Sequence, residues 1–138
     1  MRRASLVALL LAGCTGIYYQ DFTVDSGEPG YPPRAQFEDI ERYALERGLR
    51  VTGEGKDFAR FELDAENTLE MRVNPEGPVR LTLMRISSGP GFSEGDAQRF
   101  QNMLAARIRE RTGKVVNVRF VGARERPRGN VTFPGGFP

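Results

Sequence analysis

Four carboxylates crowd one short stretch of the chain: Glu62, Asp64, Glu66 and Glu70. Two acids opposed across a cleft at about 5–9.5 Å carry out glycoside hydrolysis, and hard oxygen ligands bind calcium. The spacing argues against both. These acids alternate outward along a hairpin, as on a solvated strand face, and the EF-hand loop spacing is missing. Gly53-Glu54-Gly55-Lys56 and Ser87-Ser88-Gly89-Pro90-Gly91 are rich in glycine. Neither completes a phosphate-cradling loop, and Ser88–Phe92 lacks the signature of a strained nucleophile elbow, so both read as turns. The 138 residues include no histidine and one cysteine. Without imidazole there is no Ser-His-Asp or Cys-His centre and no histidine-ligated metal. A lone cysteine allows no internal disulfide and no thiolate-clustered zinc or iron–sulfur site. The expectation is a protein that is not an enzyme and uses neither cofactor nor metal.

That single cysteine stands in a telling place. Arg2 and Arg3 form a short basic start, and Leu6, Val7, Ala8, Leu9, Leu10, Leu11 and Ala12 follow as an apolar run. A membrane-spanning helix needs about 20 apolar residues, so the run is too short to span and has the length and flanks of a secretory signal. It ends in Leu11-Ala12-Gly13-Cys14. This segment resembles the lipobox of bacterial lipoproteins. The resemblance covers residues 1–14 and implies cleavage before Cys14, with Leu11, Ala12 and Gly13 as the recognition residues. Cys14 is then the lipidated first residue of the mature chain. One acyl chain holds only marginally and two or more hold stably, so a diacylglyceryl thioether is a lasting anchor. By the same resemblance, Thr15 in place of an aspartate leans toward the outer membrane, facing the periplasm, in a Gram-negative cell.

Charge is distributed unevenly along the chain. The formal net charge is +2, but Arg2 and Arg3 belong to the removed segment, which leaves the mature chain balanced. Residues 15–70 carry thirteen acids and six bases, whereas residues 99–138 carry nine bases and two acids. Such asymmetry marks either an interaction surface or two ends that neutralise each other in the fold. Arg99, Arg109, Arg119, Arg124, Arg126 and Arg128 are the candidate contacts to a partner or an anion. Secretion removes the chain from nucleic acid.

Hydrophobic periodicity supplies the elements that position these residues. Residues 14–33 read as a lipidated N-terminus and flexible tether, interrupted by Ile17, Tyr18, Tyr19 and Phe22. Phe37, Ile40, Tyr43 and Ala44 repeat at helical spacing, which predicts a helix over about 34–47 with Pro33 at its entry and Gly48 as its stop. Four strands follow, at 49–53, 57–64, 68–73 and 79–86, alternating apolar and polar. Ser93 is the expected N-cap of a second helix that carries Ala97, Phe100, Met103, Leu104 and Ile108 and stops at Gly113. Residues 115–121 form a last strand, and 123–138 a loose Gly/Pro/Arg tail. The expected architecture is α+β, in the order α-β-β-β-β-α-β over 34–122: an antiparallel meander with two helices packed on one face.

The functional expectation is a lipid-anchored cell-envelope protein that acts as a binding or scaffolding module in an envelope assembly. It would hold the membrane through Cys14 and dock an envelope protein through the open sheet face or the basic helix and tail. The alternative is a binder of an anionic envelope ligand through the basic C-terminal part. Lipopolysaccharide, phospholipid head groups and cell-wall polymer are the available polyanions.

Overall fold

Alternation along the strands dictates a sheet with one dry face, and this is what the chain builds. The computed structural model describes residues 15–74 and 77–127. Strand β1 spans Gly16–Ser26 and helix α1 Pro33–Glu46; strands β2 (Arg50–Gly55), β3 (Phe58–Glu62), β4 (Asn67–Val73) and β5 (Val79–Ser87) follow. Helix α2 spans Asp96–Thr112 and strand β6 Val116–Pro127. The strands form one antiparallel sheet in the order β2-β3-β4-β5-β1-β6. Ala59 and Phe61 of β3, Leu69 and Met71 of β4, and Leu81 and Leu83 of β5 share one face, which buries against Phe37, Ile40 and Ala44 of α1 and Leu104 and Ile108 of α2. The α+β meander with both helices on one face is the expected architecture, with one strand added at its start.

That strand is the main correction. Residues 14–33 are not a tether throughout: Gly16–Ser26 lies inside the sheet, paired with β5 on one side and β6 on the other. Phe22 and Val24 are fully buried, opposite Leu81 and Val79. Gln20, Asp21 and Thr23 mask the period in the sequence because a buried amide stands where an apolar residue is expected. The second correction is at the other end. Ala123–Pro127 belong to β6 rather than to a loose tail, because their backbone pairs with Gly16–Gln20; residues 128–138 lie outside the described residues. The folded unit therefore exceeds 34–122 at both ends. An irregularity at Asp21/Phe22 leaves Val121 unpaired between Phe120 and Gly122, a bulge that lets β6 keep its alternation on both sides.

Local stop and start signals read as expected except at the start of α2; Gly113, with φ of 73° and its N–H donating to the Arg109 carbonyl at 2.8 Å, ends that helix as expected. Gly48 has φ of 80°, its N–H donates to the Leu45 carbonyl at 3.0 Å, and the Leu49 N–H donates to the Ala44 carbonyl at 3.1 Å. These two bonds are a Schellman stop, which favours glycine at the left-handed position. At α2 the expected Ser93 cap fails. The helix starts later, behind Gly95, without a side-chain cap. Only the return arm of the box forms, as the Ser93 N–H donates to Asp96 Oδ2 at 2.6 Å.

Candidate functional site

The expected contact arginines do not gather into one patch. Arg99 lies on the first turn of α2, paired with Asp96, and Arg109 lies further along the same helix, exposed and with no ion pair among the described residues. Arg119, Arg124 and Arg126 stand on β6, opposite Thr23, Tyr19 and Ile17. Arg128, and the lipobox residues Leu11, Ala12, Gly13 and Cys14, lie outside the described residues. Because β6 pairs with β1, the basic end of the chain lies beside its acidic beginning. Arg124 donates to Asp21 from Nε at 2.8 Å and Nη2 at 3.0 Å and stacks over the Tyr19 ring at 4.3 Å. Arg119 donates to the Thr23 hydroxyl at 3.3 Å and approaches Asp25 at 3.7 Å. The two ends thus neutralise each other at these positions.

A different arrangement emerges on the sheet face that neither described helix covers. Cross-strand register puts Phe58, Arg72, Arg80, Thr23 and Arg119 in one row, and Arg60, Glu70, Thr82 and Asp21 in the next. Glu70 sits between Arg72 at 3.0 Å and Arg60 at 3.8 Å, and the Thr82 hydroxyl donates to Asp21 at 2.8 Å. The guanidinium groups of Arg60 and Arg72 both lie over the Phe58 ring, at 5.1 and 4.6 Å. Partial burial works to raise the Asp21 carboxyl, but hydrogen bonds from Arg124 and Thr82 and the charges of Arg124 and Arg80 outweigh it and hold the group below its ordinary value. Asp21, Glu70, Arg72, Arg80 and Val121 surround a hollow of about 220 Å³ on this face. Arginines outnumber carboxylates here, and Arg80 forms no ion pair among the described residues. The sequence reading named the β6 arginines of this face but missed Arg60, Arg72 and Arg80, which only sheet register brings to them. Their polar positions in the alternation were the available signal.

The opposite side of the sheet has an apolar recess. Between α1 and α2 a cleft of about 510 Å³ is floored by Ile40, Ala44, Leu69, Leu83 and Leu104. The carboxylates Glu62, Asp64, Glu66 and Glu70 do not converge: Glu62 pairs with Arg50, Glu70 with Arg72, and Asp64 accepts from the Glu66 and Asn67 amides. No group of three or more potential metal ligands occurs among the described residues. No described helix is long and apolar enough to cross a membrane.

The chain matches no protein-family model and no curated protein.

Proposed function

We propose that this chain is a lipid-anchored cell-envelope protein that acts as a binding or scaffolding module and docks an envelope protein through its open sheet face. The observation that carries the reading is the ordered lattice of arginines, carboxylates and Phe58 on a sheet face that neither described helix covers. Interlocked ion pairs and stacked rings hold these long side chains in place before any partner arrives, which lowers the entropic cost of docking. An excess of arginine suits a partner surface of acidic character. The anchor would be the lipid on Cys14, in keeping with the lipobox resemblance. β1 starts at Gly16, and two residues of chain reach at most about 7 Å. An acylated Cys14 would hold the Gly16 end of the sheet at the bilayer and leave the open face standing up from it.

Arg80 and Arg109, which form no ion pair among the described residues, favour the second reading, a binder of an anionic envelope ligand. The two readings separate by experiment. Photo-crosslinking residues placed at Thr82 on the sheet face and at Gln98 on α2 report which side meets a partner in intact membranes. The docking reading expects one stoichiometric protein adduct from position 82 and none from 98. Adducts from 98 alone, or salt-sensitive binding to anionic vesicles with no protein adduct, would overturn it in favour of the helix layer or the anionic ligand.

A further inference from the structure

The inter-helix cleft lies on the side of the sheet away from the docking face, and the reading above assigns it no role. Its floor is apolar and its mouth is set by Tyr43 and by Met103, which is 39 % exposed. Its volume of about 510 Å³ falls inside the range of about 300–1,000 Å³ usual for small-molecule sites. The rim is cationic in an uneven way. Arg99 and Arg107 are paired with Asp96 and Glu110, whereas Arg47 forms no ion pair among the described residues. Arg85 forms no ion pair among the described residues, although its charge helps to lower the nearby Asp64 carboxyl: its Nε donates to Asn67 Oδ1 at 2.9 Å, its Nη1 to the Gly91 carbonyl at 3.1 Å, and its guanidinium lies 4.7 Å from the centre of the Phe92 ring. The carboxylates at the rim are occupied. Asp64 accepts from two backbone amides and the Asn67 side chain, and Asp96 from the Ser93 amide and Arg99.

The cleft also has a direction. Asn67 pairs with Arg85, and Arg85 with Tyr18, two residues from the start of β1. The cleft therefore reaches the end of the sheet at which the chain arrives from Cys14. We infer that the cleft between α1 and α2 holds the acyl chain of a single-chain amphiphile whose anionic head group is met by Arg47 and Arg85. An apolar floor and a rim on which Arg47, Arg85, Arg99 and Arg107 outnumber Asp64 and Asp96 match the two halves of such a molecule. That the bilayer supplies it rests on the lipid-anchor reading; the site itself does not.

The test uses the full chain in neutral phosphatidylcholine vesicles doped with a diazirine-bearing palmitate or, in a second arm, a diazirine-bearing lysophosphatidic acid. Peptide mapping after irradiation is expected to place adducts on the segments holding Tyr43 and Met103–Leu104. Arg47→Glu and Met103→Glu, both at the exposed mouth, are expected to cut those adducts about tenfold while leaving the thermal transition in place. The arm with the stronger adduct tells carboxylate from phosphate as the preferred head. Adducts confined to the N-terminal end at Cys14 and Thr15 would overturn the inference, as would cleft adducts that both variants leave unchanged. A dimer that both variants disperse, without amphiphile adducts, would overturn it and assign the cleft to self-association. Failure of the anchor reading shows separately, as absence of lipid on Cys14.

Discussion

The Asp21 carboxylate accepts two hydrogen bonds from Arg124, at 2.8 and 3.0 Å, across 103 residues of sequence. The pair ties the first strand to the last and joins the acidic beginning of the chain to its basic end. A forked arginine–carboxylate contact of this kind fixes geometry as well as charge. It also makes the fold sensitive to acid.

Asp21 titrates below its ordinary value of 3.8 because the Arg124 and Thr82 bonds and the nearby positive charges outweigh partial burial. A depressed carboxyl gives stability that is fully present above its unfolded value and is lost as pH falls through the folded one. Wild-type protein should therefore lose melting temperature more steeply than Asp21→Asn below about pH 4. Asp64 and Asp96 shift in the same direction, the first mainly through the Glu66 amide and the second mainly through the Ser93 amide. They keep part of the acid sensitivity in the variant. Parallel acid limbs for the two proteins would show that the pair contributes nothing to the folded state.

Phe61 is fully buried at the centre of the dry sheet face, opposite Leu69. Phe61→Ala should cost about 3–5 kcal/mol, read as a fall in melting temperature of more than about 10 °C for a domain of this size. An unchanged transition would mean that this face is not the core.

Gln20 is 5 % exposed, and its side-chain oxygen has no hydrogen-bond partner among the described residues. An unsatisfied buried acceptor is costly. Gln20→Met keeps the length of the side chain and removes the acceptor, so thermal stability should rise by about 1 kcal/mol. A fall instead would show that a buried donor serves that oxygen in solution.

Much of the fold was legible because alternation at Ala59–Phe61, Leu69–Met71 and Val79–Leu83 leaves one reading. β1 was not. Its inward positions are Gln20, Phe22 and Val24, so an amide interrupts the apolar set, and the surrounding Gly16, Ser26 and Gly27 read as linker. What makes β1 a strand is its place between two others, which satisfies its backbone on both sides. The same holds for Ala123–Pro127, whose composition suggests a tail and whose pairing with β1 makes it an outer strand. The candidate surfaces were legible only as residue types. Arg72 and Arg119 are 47 positions apart in sequence, and the register of four strands is what sets them in one row. The inter-helix cleft depends on how far two helices stand apart over the sheet, which no periodicity encodes.

The envelope function proposed for this chain depends on lipid at Cys14. Radiolabelled palmitate fed to cells making the wild-type chain or Cys14→Ser tests it most directly. Label is expected in the membrane-bound wild-type product alone, with the variant unlabelled and running as the larger, uncleaved precursor. An unlabelled wild-type product, or equal labelling of the two chains, would contradict the account.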